Sequence, residues 1–402
     1  MTENPSGRTL REKTKTFPNA PTIKAAQISD WRKYPALCVA RDMFTRSRCI
    51  VSLFGVLPFV NRNRGWAESP YDWLDQNRDR RIVFSNPYRD LQTMVLYNLC
   101  RERKQPICVI ERGPLPGTLL IDGTGFLIDS SAYHFSNLDE VNFPENWQDV
   151  IRNYKLEYLS AGISLEFQSR DRAKSAWLMK RLTQSVNKPV ILIALQMPDD
   201  TVTRHFCHPA RSYQTFLTFC QACIKQFSDR YTFVYKTHPR AANLRLDDAD
   251  NLTSVHIDDA LAKCEGVLTF NSGVGVLAMM HDKPVAVFGR AYYASAQSVT
   301  PVADLTDMCR FLESLVAQQP QTQSDNFLFH LTQHVLSQVT YLPQTRFWLS
   351  RKIGFLPQAL RVYDGVDFHS INTEVPTPID LVRELMSAWA RYIANRLTRF
   401  LA

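Results

Sequence analysis

Thr269-Phe270-Asn271-Ser272-Gly273-Val274-Gly275 runs directly into Val276-Leu277-Ala278-Met279-Met280. The first residues read as the end of a buried strand, the Ser/Gly stretch as a turn, and the apolar continuation as a helix. A strand–turn–helix of this composition presents backbone N–H groups, a hydroxyl and a helix N-terminus to an anion. Glycines at 273 and 275 let a phosphate approach the backbone closely. Upstream, Phe233-Val234-Tyr235-Lys236-Thr237-His238-Pro239 reads as a second strand ending in polar groups. Two such ends meet at one edge of a parallel sheet, where open α/β folds bind ligands. The first expectation is therefore a nucleotide-type phosphate site.

Working outward, strand and helix patterns alternate. Residues 50–56 and 82–85 read as strands and 90–103 as a helix. Residues 107–110 form a buried strand delivering Glu111-Arg112-Gly113, and 118–121 a further strand. Residues 142–157 are charged and poorly patterned, and the Arg/Lys-rich stretch 169–188 is the expected crossing between domains. The second half is cleaner, with strands at 190–195, 232–235, 267–270 and 285–288 and helices at 211–228, 258–263 and 272–281. This spacing predicts an α/β protein with a doubly wound parallel sheet, repeated as two Rossmann-like, GT-B-like domains followed by a helical C-terminal segment. Residues 300–317 and 326–342 read as amphipathic helices. A last, basic helix after Pro378 places Val382, Leu385, Met386, Trp389, Ile393, Leu397 and Phe400 at spacings of three and four. Such a helix packs on the domains or lies on an anionic membrane.

The composition, 45% hydrophobic and 21% charged, is that of a globular protein, and the formal net charge of +8 favours acidic partners. No RNA-binding aromatic signature or zinc-finger spacing supports nucleic acid as a partner. The nine cysteines are scattered and mostly apolar in context, as expected of reduced, packed thiols in the cytoplasm. Cys220-Gln221-Ala222-Cys223 lies within the helix at 211–228, so it reads as core and not as a metal knuckle. Residues 1–24 are polar, extended or disordered, without a secretory h-region, and the apolar stretch 49–60 is too short to span a bilayer. Asp248-Ala249-Asp250 sits in a charged turn with no adjacent strand and is not taken as a metal site.

Polar groups crowd the strand ends: Glu111-Arg112-Gly113, Gln196-Met197-Pro198-Asp199-Asp200-Thr201, Lys236-Thr237-His238-Pro239 and Asn271-Ser272. Each alone has a bland reading as a solvated turn or a cap; together they place acids, a His, a Lys and a phosphate cradle at one sheet edge. Lys236-Thr237-His238-Pro239, the Thr269–Gly275 stretch, His281-Asp282-Lys283-Pro284-Val285 and Gly289-Arg290-Ala291-Tyr292-Tyr293 resemble, in this order, the bacterial capsule polysaccharide synthesis family. That family contains the retaining β-Kdo transferases of the KpsC/KpsS and WbbB type. Leu195-Gln196-Met197-Pro198-Asp199-Asp200-Thr201-Val202 resembles its Leu-Gln-Val-x-Asn-Asp-Ser-Gln segment, and Ile110-Glu111-Arg112-Gly113 its Glu-Glu-Gly segment.

The resemblance implies a membrane-peripheral, cytoplasmic transferase. It would move Kdo from CMP-β-Kdo, with retention, to a glycan acceptor, lipid-linked, of a capsule, O-antigen or lipopolysaccharide, alongside other polysaccharide-assembly enzymes. Residues 25–185 would be the acceptor-side domain, 186–320 the CMP-sugar domain and 321–402 the helical segment. Retention is achieved by two inversions, with a carboxylate nucleophile and a second acid/base group. Asp200 aligns with the Asp before Ser in the family segment and is the expected nucleophile, with Asp199 as fallback. Glu111 would deprotonate the acceptor, unless it is ion-paired to Arg112 or another Arg. CMP leaves as a stable anion, so Lys236, His238, Asn271, Ser272, Gly273 and Gly275 are expected to hold it without a metal or other cofactor. Arg290 would reach the sugar carboxylate or remain a surface residue. Arg112, Pro116-Gly117 and Asp199 depart from the family pattern, the first two on the acceptor side. The rivals are an inverting CMP-sialic-acid-type (nonulosonate) transferase and a non-catalytic glycan- or nucleotide-binding scaffold.

Overall fold

The computed structural model describes residues 31, 33–39, 48–55, 57–58, 69–130, 143–161, 188–207, 211–238, 241, 243–316, 324–341, 357–363 and 368–372. In chain order the strands are β1 (Ala36–Cys38), β2 (Arg81–Phe84), β3 (Ile107–Arg112), β4 (Thr118–Asp122), β5 (Val190–Ala194), β6 (Thr232–Lys236), β7 (Asp250–Asn251), β8 (Gly266–Thr269), β9 (Val285–Val287), β10 (Val299–Pro301), β11 (Leu336–Tyr341), β12 (Pro357–Tyr363) and β13 (Phe368–Asn372). The helices are α1 (Arg48–Phe54), α2 (Pro70–Gln76), α3 (Leu91–Glu102), α4 (Trp147–Ala161), α5 (Thr201–His205), α6 (Tyr213–Phe227), α7 (Ile257–Leu261), α8 (Val274–Met280), α9 (Leu305–Val316) and α10 (Asp325–His330).

Two compact units result. One is built from described residues within Met1–Glu111, Leu119–Gly123 and Ser337–Ala402, the other from Arg112–Thr118 and Thr124–Leu336. The chain thus first leaves the first unit at Glu111–Arg112, revisits it for Leu119–Gly123 and returns to it finally after Leu336, where the sequence placed one crossing near residue 185. Helix α4 is the reason. Its narrow buried face, Ile151, Tyr154 and Lys155, belongs to the second unit, and Lys155 pairs there with Asp282 and Asp325. The stretch 142–157 looked unpatterned because a cation occupies that face.

The first unit holds a seven-stranded sheet of order β1-β2-β3-β4-β11-β12-β13. Strands β1, β2 and β3 pair in parallel, whereas β11, β12 and β13 pair antiparallel. Residues 48–54 are helical where a strand was expected. Ile50, Leu53, Phe54 and Leu57 recur at helical spacing and pack with Trp31, Val83, Cys108, Ile110, Leu119 and Ile121. An apolar run of this length is compatible with either period, and burial on one face selects the helix.

The expected helix at 326–342 is also corrected. It ends in a π-helical turn at Leu331–Val335, and Leu336–Tyr341 continues as a strand. Val339, Thr340 and Tyr341 favour extended backbone, and the partners that stabilise it, β12 and β13, lie further along the chain. The described part of 321–402 therefore contributes strands as well as helix, while the basic helix after Pro378 lies outside the described residues. So do residues 1–24 and 169–187.

The second unit matches the parallel reading throughout. Its six strands run in the order β10-β9-β8-β5-β6-β7, and every pair is parallel. Because β5 is flanked by β6 on one side and β8 on the other, the winding direction changes there. Open sheets of this kind bind ligands outside the carboxyl ends of the strands at such a switch point. On one face of the sheet Tyr213, Phe216, Phe219, Phe270 and Phe288 form a buried ring cluster, with Phe219 and Phe288 centroids 4.8 Å apart. Each fully buried Phe contributes about 2–3 kcal/mol by area removed from water. Cys220 and Cys223 pack in the same core, and burial holds both thiols protonated, that of Cys223 pushed up to about 12. Asp250 opens β7 at the sheet edge, so the Asp248–Asp250 stretch does adjoin a short strand.

Candidate functional site at the strand ends

Ala194 lies beside Thr269 in the β5–β8 register, so Gln196 and Asn271 emerge next to each other at the switch point. Gln196 is buried and uses both ends of its carboxamide: Nε2 donates to Asn271 Oδ1 at 2.9 Å, and Oε1 accepts from the Asn271 backbone N–H at 3.1 Å. Asn271 Nδ2 then donates to the Val202 carbonyl at 3.3 Å. The Tyr213 hydroxyl accepts from Gln196 N–H at 2.7 Å and lies 2.8 Å from the Gln196 carbonyl, to which it donates. Burial pushes the pKa of that phenol up, which keeps its proton in place. These contacts sew the loop after β5 to the turn after β8.

That loop carries the two acids. Asp200 is the N-cap of α5, with extended backbone, yet its side chain makes no capping bond. The loop is instead held by Thr203, whose buried hydroxyl lies 2.9 Å from the Met197 and Asp200 carbonyls. Asp200 is half-buried and Asp199 is exposed. A carboxylate excused from capping and left open to solvent on a rigid turn is available to a ligand.

The Ser/Gly turn is tighter than its composition suggested. Ser272 Oγ accepts from Val274 N–H at 3.2 Å, and the Ser272 carbonyl accepts from the Tyr293 hydroxyl at 2.5 Å. A Cβ on Gly275 would lie 2.4 Å from the Tyr293 ring. Gly275 is therefore required by Tyr293 beneath it, a different reason from the phosphate approach expected of it. A Cβ on Gly273 would come 3.3 Å from Pro114 Cβ. The turn Gly113–Thr118, closed by Gly113 N–H to the Thr118 carbonyl at 3.0 Å, thus seats on the Ser/Gly turn within the same unit. Gly117, at φ 74°, supplies the left-handed residue this turn needs.

Lys236 departs from its expected role. Its ammonium is buried and donates to the Thr253 and Val255 carbonyls at 2.9 and 2.6 Å. Burial lowers its pKa to about 8. It anchors the 253–255 loop, together with the 2.7 Å contact between the Thr237 and Thr253 hydroxyls, and is not directed to a phosphate at the strand end. His238 is half-buried just beyond β6, and Arg290 is exposed just beyond β9. Glu111, half-buried at the end of β3, belongs to the first unit. The structure thus ties the loop that carries Asp199 and Asp200 to the turn that carries Asn271, Ser272 and Gly273. Gln196, Thr203, Tyr213 and Tyr293 shape the site without having been singled out for it: Gln196 and Tyr293 stood inside recognised segments, and the roles of Gln196, Tyr213 and Tyr293 depend on partners 17 to 75 residues away, while Thr203 closes its own loop.

The sequence profile described as "Capsule polysaccharide biosynthesis protein" matches residues 127–342, more than half of the chain. The chain belongs to this family. Its match covers almost all of the second unit, the loops after β5 and β8 included. Among curated proteins none matches the chain. Among solved structures it is similar to the β-Kdo 2,4 transferase of Thermosulfurimonas dismutans KpsC, with TM-score 0.54 and 15% identity over 76% of this chain and 92% of that one. The β-Kdo 2,7 transferase of the same KpsC gives TM-score 0.45 and 15% identity over 79% and 97%. At this identity the first likeness establishes the fold: two α/β units of the GT-B type, as expected of this family member.

Proposed function

We propose that the protein is a retaining glycosyltransferase that moves β-Kdo from CMP-β-Kdo onto a lipid-linked glycan of a bacterial envelope polysaccharide. The observation that carries this reading is the placement of Asp200: a carboxylate not engaged as a cap, on a loop tied by Gln196 and Asn271 to the Ser272–Gly273 turn at the switch point. In this proposal the Asp200 carboxylate attacks the anomeric carbon, forming a glycosyl ester, while the bond from that carbon to the CMP phosphate oxygen breaks. CMP departs as a phosphate monoester anion, stabilised by His238 and the polar groups of the Ser272–Gly273 turn. Glu111 then removes the proton of an acceptor hydroxyl. The resulting alkoxide attacks the same carbon, and Asp200 leaves as a carboxylate. Two inversions return the β configuration. Arg290 pairs with the sugar carboxylate. Lys236 acts only through the loop it anchors. No metal is assigned, because the leaving group is already a stable anion.

The acceptor's lipid and a peripheral position on the membrane's inner face belong to the same proposal. Among the described residues no helix is long and apolar enough to cross a membrane.

The test is intact mass after incubation with CMP-β-Kdo in the absence of acceptor. A Kdo-sized adduct on wild type, mapped to Asp200 and absent in Asp200→Asn, is expected. Turnover of a cytidine-linked donor without an adduct and with anomeric inversion would instead support the inverting nonulosonate transferase. Indifference to every cytidine nucleotide would leave the scaffold.

A further inference from the structure

Behind the Ser272–Gly275 turn, at the far end of α8, lies a second polar cluster that the proposed chemistry does not use. The Asp258 carboxylate, on α7 and almost fully buried, accepts from the Tyr158 hydroxyl at 2.8 Å and lies 3.1 Å from His281 Nε2 through the same oxygen. Its other oxygen lies 3.5 Å from His256 Nδ1, and His256 caps α7 by accepting from Asp258 N–H at 3.3 Å. His281 is the C-cap of α8. The next residue, Asp282, has left-handed backbone at φ 56°. Its N–H bonds the Met279 carbonyl at 3.0 Å, and Lys283 N–H bonds that of Ala278 at 2.9 Å. This pattern is a Schellman stop built without glycine. An aspartate holds that backbone where its side chain is anchored, and Lys155 Nζ meets the Asp282 carboxylate at 2.5 Å and also binds Asp325.

Lys155 and Tyr158 are three residues apart, so they project from one face of α4. A single helix thus grips the C-cap of α8 twice, once through Asp282 and once through Asp258 and His281. At its other end α8 is held by the Tyr293 hydroxyl on the Ser272 carbonyl. The helix that carries the turn is only two turns long, so its C-terminal anchor reaches its N-terminal residues rigidly.

We propose that Asp258 is a positioning residue: by joining α4 to the C-cap of α8 it fixes the orientation of the Ser272–Gly275 turn. The role as anchor stands on these contacts, and its consequence for a nucleotide rests on the donor-site reading above. Burial opposes the charge on Asp258. The hydrogen bonds from His281 and Tyr158 and the electrostatic attraction of His281 outweigh burial and hold its carboxyl below the usual range. The cluster is therefore built around an ionised aspartate.

Hydrogen exchange read by mass spectrometry tests this on the full chain. In Asp258→Asn, a peptide covering 271–283 should lose protection by about tenfold, while the α6 peptide 213–227 stays as in wild type. Tyr158→Phe, which keeps ring and carboxylate, should show about a threefold loss in the same peptide, and His281→Gln, which keeps an N–H donor, less than that. Protection unchanged in 271–283, or lost equally in both peptides, would overturn the proposal. In parallel, titration with CMP alone should give a dissociation constant raised about tenfold by Asp258→Asn, equivalent to about 1.4 kcal/mol. Wild type that ignores CMP would remove the donor assignment, and the exchange arm would still decide whether Asp258 positions the turn. Binding of CMP equal in wild type and variant would overturn the positioning role and leave the donor assignment standing.

Discussion

Asp200 and Asp258 are aspartates of the same unit, both beside the ends of short helices, and their surroundings could hardly differ more. Asp200 heads α5, makes no capping bond and is only half-buried. Asp258 is buried, and a tyrosine and two histidines surround its carboxylate. The first arrangement leaves a charge free to meet a ligand; the second neutralises a charge to join three elements. A carboxylate's role here follows from what surrounds it, since the residue type and the local sequence, Asp-Asp in both cases, are the same.

The largest expected effect breaks this comparison if it fails. Asp200→Asn should reduce transfer by at least about a thousandfold, with the melting temperature unmoved because no fold contact is lost. Asp258→Ala should do the reverse. Removing one partner of a buried charged cluster costs about 3–5 kcal/mol, measurable as a shift of the urea midpoint, and the same variant should lose the acid limb of the stability curve. The sign follows from the depressed carboxyl: its contribution is complete above the unfolded value of about 3.9 and is lost as pH falls through the lower folded one. A stable Asp258→Ala protein with an unchanged acid limb would make the two aspartates alike.

A smaller effect sharpens the reading of the turn. Gly275→Ala should destabilise by about 1–3 kcal/mol through overlap with Tyr293, and Tyr293→Leu in the same chain should restore part of it. If Gly275 instead served only a phosphate, stability would not change and nucleotide binding alone would suffer. The smallest effect concerns Lys236. Burial lowers its pKa to about 8, so between there and its unfolded value the unfolded chain binds more protons and stability rises with pH. Wild type minus Lys236→Met, compared by urea unfolding from pH 7.5 to 10, should isolate that rise. A flat difference would place the ammonium in solvent, where it could meet a phosphate after all.

Most of the second unit was legible from residue order. Runs such as Val-Ile-Leu-Ile-Ala at 190–194 are buried on both faces of a parallel sheet and read as such without context. The first unit was less so. Residues 48–54 carry an apolar run short enough for either period, and β11 depends on β12 and β13, which follow later in the chain. For the site, the carboxylates and the Ser/Gly turn stood out as polar groups at strand ends. The role of Lys236 did not, because nothing in Tyr-Lys-Thr-His indicates that two carbonyls of a loop 17 and 19 residues away will accept hydrogen bonds from its ammonium.

What the sequence determined by itself is the alternation of elements, the parallel second sheet, the family and the edge at which polar groups gather, since hydrophobic period and turn chemistry are local. Only the tertiary structure decided which acid is anchored and which is open, why Gly275 must lack a side chain, and where the chain passes from one unit to the other. Those depend on neighbours that folding brings together over tens to hundreds of residues, as Lys155 meets Asp282 and Asp325.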